Sequence, residues 1–249
     1  MAKIKIKTPK EIELIRDAGA LAAVTLLRAG EMVKPGVSTL EIDEFIGEFT
    51  KKNGGTSACL NYHGYPRYAC ISINDVVCHG IPSKDTILKD GDIVNIDITT
   101  ILSGYHGDTS AMFTVGKPSK DALELVQVTK ECLEIGIAAA AEPNAIYSDI
   151  GNAIQALADE YGFGVVEDYC GHGIGRNFHE EPTVFHFGNR FRSPHIEIGH
   201  VFTIEPMINA AAPSLTPDAL PAVTTPPSNS GRSFCKASRL EDGRGCSSS

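Results

Sequence analysis

The segment of residues 92–113, DIVNIDITTILSGYHGDTSAMF, limits the fold more than any other part of the chain. Two runs rich in β-branched and aromatic residues, Ile93–Ile101 and Tyr105–Thr114, flank a turn signal at Ser103-Gly104. The segment therefore predicts an antiparallel hairpin. We expect it to fold about the point between Leu102 and Ser103.

Asp97 and Asp108 are predicted to face each other directly across this hairpin, with Cβ atoms about 5 Å apart. Two aspartates at such a spacing are more often solvated acids on a surface hairpin. Here the first strand is otherwise almost entirely apolar, which favours burial. Opposed buried carboxylates repel one another, and a bound divalent cation would remove that repulsion. The hairpin therefore predicts a metal site.

Four amphipathic helices are predicted from the spacing of apolar residues and from capping and breaking signals. Their predicted bounds are Pro9–Ala29, Thr39–Lys52, Lys120–Ala141 and Ser148–Tyr161. An offset of 108 residues superposes Pro35 on Pro143 and Glu41 on Asp149. The layout predicts two α-α-β halves related by a pseudo-twofold, with a site that draws ligands from each half.

The second half offers two further candidate ligands. His172 lies between two glycines, and Glu205 is an acid on a mostly apolar run, VFTIEPMI, which we expect to be a strand stopped by Pro206. The alternating glycines around His172 lack the strand–loop–helix context and the lysine of a phosphate loop. His179 is followed by two glutamates, which is not the HExxH pattern of zincins. The set predicts a metal site of mixed oxygen and nitrogen ligands.

Composition narrows the class of protein. The formal net charge of −9 argues against nucleic acid or an anionic membrane as the main partner. No apolar run approaches the length of a membrane span, and the start of the chain lacks the apolar region of a signal peptide. Seven cysteines without CxxC spacing indicate reduced thiols. We therefore expect a cytoplasmic protein.

Four segments together resemble the methionine aminopeptidases of the short bacterial type. They are NDVVCHGIP, the hairpin VNIDITT…YHGDTSAMF, GHGIGRNFHEEP and FTIEPMI, in that order. The resemblance runs from about Thr8 to Asn209. It implies an α+β pita-bread fold over residues 1–209, with two pseudo-symmetric α-α-β halves around an antiparallel sheet.

The resemblance also implies roles for individual residues. Metal ligands would be Asp97, Asp108, His172 and Glu205, holding two divalent ions (cobalt, manganese, iron or zinc). Glu205 would also be the base, His79 a proton donor or amine-contacting group, and His179 the group that polarises the scissile carbonyl. The methionine pocket would comprise Cys59, Tyr62, Tyr65, Cys70 and Phe178, with His79 and His179 beside it.

The implied activity is removal of the N-terminal methionine from nascent proteins with a small second residue. The reaction would proceed by attack of a water that bridges the two ions. The implied enzyme is a monomer that acts near the ribosome, without a specific nucleic acid or membrane partner. Two alternatives remain: a non-catalytic pita-bread binding module, and a dipeptidase that cleaves before proline.

One part of the family pattern is missing. The family uses a further glutamate on a late strand in a Q-x-E-H-T-like context, and this sequence has no such segment. Nearly half of residues 210–249 are Pro, Ser, Thr or Gly, and the only glutamate among them is Glu241. We expect a low-complexity tail, disordered or produced by a frameshift. We also expect weakened binding of at least one metal and impaired activity.

Overall fold

A computed structural model describes residues 3–189 and 193–210, together with the backbone of 234–236. Four helices carry most of the regular structure in these ranges. Their bounds are α1 Pro9–Gly30, α2 Thr39–Lys52, α3 Lys120–Ala140 and α4 Tyr147–Glu160. Each predicted helix is confirmed to within one residue at both ends. α1 and α2 begin with full capping boxes, in which Thr8 pairs with Glu11 and Ser38 with Glu41.

Nine short strands form three sheets among the described residues. They are β1 Thr56–Ser57, β2 Cys70–Ile73, β3 Ile93–Leu102, β4 Tyr105–Thr114, β5 Gly164–Val165, β6 Gly171–Gly173, β7 Glu180–Val184, β8 Met207–Asn209 and β9 Phe234–Lys236. β3 pairs with β1, β2 and β4, so it is the centre of the first sheet. β5, β8 and β9 form the second sheet, and β6 pairs with β7 alone. All pairings are antiparallel.

The β3–β4 hairpin is present, but its predicted register is wrong by two residues. Leu102 pairs with Tyr105, so Ser103 and Gly104 form the loop, with φ of 51° and 77°. A two-residue loop with positive φ at both positions suits glycine and disfavours leucine, which explains why the loop does not include Leu102. Asp97 consequently pairs with Ser110 rather than with Asp108.

The predicted pseudo-twofold is visible in the details of the two halves. α2 and α4 begin at residues 39 and 147 and end at 52 and 160, so the offset is 108 at both ends. The isolated bridge Ser38–Ile87 in the first half has a counterpart in Ile146–His195 in the second, again 108 residues apart at both ends. The second half thus repeats the chain path of the first.

Each half has its own hydrophobic core. In the first half, α1 and α2 pack on one face of the β3 sheet through Ala22, Leu26, Ile42, Ile46, Ile96 and Ile98. In the second half, α3 and α4 pack around Leu125, Cys132, Ile150, Ile154, Val184 and Ile208. Complete burial of one isoleucine contributes about 1.5–3 kcal/mol, so each core is a substantial source of stability. Two packed cores provide a rigid frame for side chains that lie between the halves.

The prediction of a tail at 210–249 falls almost entirely outside the described residues. Within that range the structure describes Ala210 and the backbone of β9, which pairs with β8. Glu241 lies outside the described residues. In the described part of the chain, none of the helices combines the length and apolarity that a membrane crossing requires.

Candidate active site

All the residues selected from the sequence as site residues line one cleft of about 760 Å³. They are Cys59, Tyr62, Tyr65, Cys70, His79, Asp97, Asp108, His172, Phe178, His179 and Glu205. The chain before α3 provides the first seven of them, and the chain after α4 provides the other four. The cleft therefore joins the two halves, as the repeat pattern predicts.

Asp97 and Asp108 share one face of the hairpin although they do not oppose each other. Asp108 pairs with Thr99, which is two residues along β3 from Asp97, so the aspartates are diagonal neighbours. Since side chains alternate with a period of two, a register error of two residues leaves both on the predicted face. Both are half-buried and line the cleft.

β6 carries His172 between two glycines that allow close approach of the backbone. A Cβ atom at Gly171 would overlap the carbonyl oxygen of Thr203, and one at Gly173 would overlap the carbonyl of Glu181. Glycine at both positions allows the segments that contain Thr203 and Glu181 to pack closely against β6. The glycines around His172 thus serve packing within a β-strand.

Glu205 lies on extended backbone rather than on the predicted regular strand. Phe202 forms an isolated bridge with Gly173, and β8 begins only at Met207. The expectation of a strand that stops at Pro206 is therefore wrong, because the proline precedes the strand. A proline has no N–H to donate to a sheet, which suits it to this boundary.

Asp108, His172 and Glu205 each bring one possible ligand atom to within 4.8 Å of the other two. Nε2 of His172 lies 3.4 Å from Oδ2 of Asp108 and 3.6 Å from Oε1 of Glu205. Nδ1 of His172 is 2.9 Å from the carbonyl oxygen of Gly173. A hydrogen bond from Nδ1 to that carbonyl leaves the Nε2 lone pair facing the carboxylates, the usual arrangement of a metal-binding histidine. Among the described residues this is the one such group of three.

The electrostatics of this cluster favour a cation. Burial lowers the pKa of His172, but the hydrogen bond with Asp108 and the charge of Glu205 outweigh burial, so that the pKa lies above its usual value. Two carboxylates around one imidazole therefore attract positive charge. Carboxylate oxygens with an imidazole nitrogen suit divalent ions such as manganese, iron, cobalt and zinc. The residues fit a metal ion.

Asp97 does not belong to this group of three. Its diagonal position, set by the register of the hairpin, places it beside Asp108 on the same face. The structure therefore places Asp97 next to the cluster without making it a member.

His179 lies next to the cluster, with its ring centroid 4.1 Å from that of His172. The Tyr62 hydroxyl and Nδ1 of His179 share a hydrogen bond of 2.7 Å. Burial, and then the charge of His172, lower the pKa of His179 to about 4. The imidazole of His179 is therefore neutral at neutral pH. Tyr62 is hydrogen-bonded to Nδ1, so Nε2 is the other ring nitrogen, outside that bond.

Sulfur atoms and aromatic rings form another part of the cleft wall. Cys59 and Cys70 are buried, and the adjacent Cys70 thiol together with burial raises the pKa of the Cys59 thiol. The Tyr65 hydroxyl donates to the carbonyl oxygens of Ala69 and Gly80, at 3.1 and 2.8 Å. The Cys59 thiol therefore stays protonated, and the sulfur atoms and rings make this wall polarisable.

His79 is exposed and lies at the side of the cleft, where its ring makes an edge contact with Tyr169 at 5.3 Å. Its φ of 54° is in the left-handed region, which is uncommon for a residue other than glycine. Strained backbone of this kind is concentrated at functional sites. The structure thus brings His79 to the same cleft as the metal-binding cluster.

Sequence reasoning missed several residues that support the site. Buried His186 accepts the Glu205 N–H through Nε2 at 3.0 Å. Thr203 hydrogen-bonds to both His172 and Glu205. The position of Thr203 two residues before Glu205 on extended backbone is a signal that could have identified it, because such residues share a face. No local signal points to His186.

Comparison with known proteins agrees with this geometry. Residues 13–242 match the model of metallopeptidase family M24. The methionine aminopeptidase of Escherichia coli K12 is 51% identical over 208 residues, which cover 83% of this chain and 78% of that protein.

Two crystal structures extend the comparison to the fold. The methionine aminopeptidase of Rickettsia prowazekii has a TM-score of 0.81 at 45% identity and covers 84% of each chain. That of Thermotoga maritima has a TM-score of 0.86 at 33% identity and covers 95% of this chain and 94% of its own. The expected pita-bread fold is confirmed. This chain belongs to the methionine aminopeptidases of metallopeptidase family M24.

Proposed function

We propose that this chain removes the N-terminal methionine from nascent polypeptides whose second residue is small. The observation that carries this proposal is the cluster of Asp108, His172 and Glu205 in a cleft with a thiol and aromatic wall. The family relationship supplies the reaction class, hydrolysis of the first peptide bond. The arrangement of the cleft supports that reaction.

The metal requirement follows from the ligands. Asp108, His172 and Glu205 would hold one divalent ion, and Asp97 with Asp108 would contribute to a second. Such ions supply a more acidic water and stabilise negative charge on a carbonyl oxygen. Manganese and cobalt are the first ions to test, with iron and zinc next.

The remaining polar residues have distinct tasks in this proposal. Glu205, whose backbone His186 holds, accepts a proton from the attacking water. His179 is neutral and donates a hydrogen bond to the scissile carbonyl oxygen. His79 contacts the substrate amine or returns the proton to the leaving group. All three side chains line the same cleft.

Substrate selection depends on the thiol and aromatic wall of the cleft. Cys59, Cys70, Tyr65 and Phe178, with the ring of Tyr62, form a surface that suits a methionine side chain, because thioethers make favourable contacts with aromatic rings and other polarisable groups. The pocket residues therefore set the preference for methionine.

Binding of the second ion is expected to be weak. Asp97 and Asp108 are the two acids that the hairpin brings to one face, and the Q-x-E-H-T-like segment is absent from the sequence. Activity is consequently expected to be well below that of relatives with a further bridging glutamate. We also propose that the chain is monomeric and cytoplasmic, and meets its substrates near the ribosome.

The decisive experiment measures release of methionine from the peptide Met-Gly-Met by the metal-free chain, with and without Mn²⁺ or Co²⁺. Metal-dependent release that EDTA abolishes is the expected result. Cleavage of Xaa-Pro dipeptides in preference to Met-Gly-Met would identify a dipeptidase instead. Failure to bind any metal, measured by elemental analysis after dialysis, would identify a non-catalytic binding module.

A further inference from the structure

Thr203 lies between two of the three cluster residues and bonds to both. Its hydroxyl oxygen accepts the backbone N–H of His172 at 2.9 Å. The same hydroxyl donates to Oε1 of Glu205 at 2.6 Å. In addition, the backbone N–H of Thr203 donates to the carbonyl oxygen of His172 at 2.8 Å. One residue thus joins β6 to the segment that carries Glu205.

The direction of these bonds is fixed by the number of protons. A threonine hydroxyl has one proton to donate, and its two nearby acceptors are Oε1 of Glu205 and, at 3.4 Å, the His172 carbonyl oxygen. The carbonyl is farther away and already accepts the Thr203 N–H. The carboxylate is the stronger acceptor and lies at a distance typical of charge-assisted bonds. The proton therefore goes to Glu205.

This arrangement restrains the oxygen that faces the histidine. Oε1 of Glu205 is the atom 3.6 Å from Nε2 of His172, and it is also the atom that Thr203 holds. The Glu205 backbone is held separately by His186. Without the hydroxyl, the Glu205 carboxylate would lose this hydrogen bond, while the bond from its backbone N–H to His186 would remain.

We propose that Thr203 is a positioning residue that keeps the His172 and Glu205 ligand atoms at the separation a divalent cation requires. The inference rests on the proposed function only in taking the cluster as a divalent metal site. Hydrogen bonds to metal ligands from neighbouring groups typically change metal affinity or activity by 10- to 100-fold. Because Thr203 is hydrogen-bonded to both ligand residues, its loss is expected to lower the affinity for the divalent cation.

The test is calorimetric titration of the metal-free chain with Mn²⁺. Thr203→Val removes the hydroxyl and keeps the shape of the side chain, and it should weaken Mn²⁺ binding by about tenfold or more. Thr203→Ser keeps the hydroxyl and should bind Mn²⁺ within about twofold of the wild type. Thr114→Val, at an exposed end of β4, is the matched control and should change nothing.

A loss of stability must be separated from a loss of ligand placement. Thr203→Val leaves the His172 N–H without the hydroxyl acceptor, which lowers the stability of the folded chain. Ile154→Val, in the fully buried core of the second half, also lowers stability and should leave Mn²⁺ affinity unchanged. Reduced affinity in both variants would attribute the effect to stability alone and overturn the proposal.

Two other results would overturn it. One is wild-type Mn²⁺ affinity in Thr203→Val, and the other is equally weak binding in Thr203→Val and Thr203→Ser. If these results accompany methionine release by the wild-type chain, the proposed function stands and only the role of Thr203 fails. If the wild-type chain neither binds Mn²⁺ nor releases methionine, both fail.

Discussion

Oδ2 of Asp108 and Nε2 of His172 lie 3.4 Å apart, and they belong to different halves of the molecule. Asp108 is part of the hairpin in the first half, and His172 is part of a strand in the second. A cation held by both therefore links the halves directly. Its binding should stabilise the folded chain as a whole.

The first prediction concerns this link. Mn²⁺ at 100 times its dissociation constant should raise the free energy of unfolding by about 2.7 kcal/mol, because only the folded chain assembles the cluster. Asp108→Asn should abolish the increase, while Asp121→Asn, at an exposed position of α3, should retain it. Thermal unfolding followed by circular dichroism, with and without the ion, measures this. An equal increase in both variants would show that Mn²⁺ binds elsewhere.

A second prediction concerns a buried ion pair. Lys7 and Glu180 form a salt bridge in which the side chains are only 2% and 12% exposed. Glu180 also accepts the Asn177 N–H at 3.0 Å, so the pair anchors the loop that carries Phe178 and His179. Removal of one partner of a buried pair leaves an unpaired charge and costs about 3–5 kcal/mol.

Lys7→Met should therefore lower the free energy of unfolding by about 3 kcal/mol in urea denaturation. Lys10→Met, at a fully solvated position of α1, should change it by less than about 0.5 kcal/mol. Because Lys7→Met also loosens the loop, kcat for Met-Gly-Met should fall. A Lys7→Met variant as stable as Lys10→Met would disprove the anchoring role.

A third prediction concerns pH. Burial raises the pKa of Asp43 to about 6 from its usual 3.8, although the N–H groups of Ala69 and Tyr68 act in the opposite direction. A carboxyl group with a raised pKa binds its proton more tightly in the folded chain. Its contribution to stability is therefore full below about pH 4 and is lost as the pH rises through about 6.

Asp43→Asn keeps an oxygen acceptor for both N–H groups but cannot ionise. The free energy of unfolding of this variant, minus that of the wild type, should increase by about 2 kcal/mol between pH 4 and 7.5. Val24→Ala, at a position that is 48% exposed, changes no ionisable group and should show a constant difference. Urea denaturation across this pH range makes the comparison, and a pH-independent difference for Asp43→Asn would refute the prediction.

A fourth prediction concerns Tyr62 and His179. Tyr62→Phe removes the 2.7 Å hydrogen bond to Nδ1 but retains the ring contacts with Phe178 and His179. A bond of this type contributes about 1 kcal/mol, so kcat for Met-Gly-Met should fall about fivefold, with KM changed by less than twofold.

Tyr161→Phe, at a tyrosine that is 45% exposed in the second half, is the control. It should leave both kinetic constants unchanged. A larger rise in KM than fall in kcat for Tyr62→Phe would indicate that the hydroxyl contacts the substrate rather than orients His179.

Local patterns were sufficient to predict the helices, whereas most of the residues that line the cleft were selected through the family resemblance. Capping signals such as Ser38 with Glu41 act within four residues, so they can be read from the sequence. The repeat offset correctly predicted that both halves contribute to one site. The individual roles of the site residues remain predictions.

The errors concern features that depend on contacts or geometry beyond the local sequence pattern. The hairpin register depended on which residues accept positive φ, and Leu102 was wrongly placed in the turn. The support from His186 and Thr203 depends on segments distant in sequence crossing beside β6. Packing determines which distant segments meet beside β6, and the spacing of apolar residues along the chain does not predict it.

The two-residue turn at Ser103-Gly104 also sets a strict limit on chain length. An insertion of one residue there would invert the alternation along β4 and direct Asp108 away from the cleft. An insertion of two would restore the face and move the carboxylate along the ribbon by about 7 Å. Changes in the length of this solvent-exposed loop should therefore disturb both the packing of β4 on the first core and the binding of a cation.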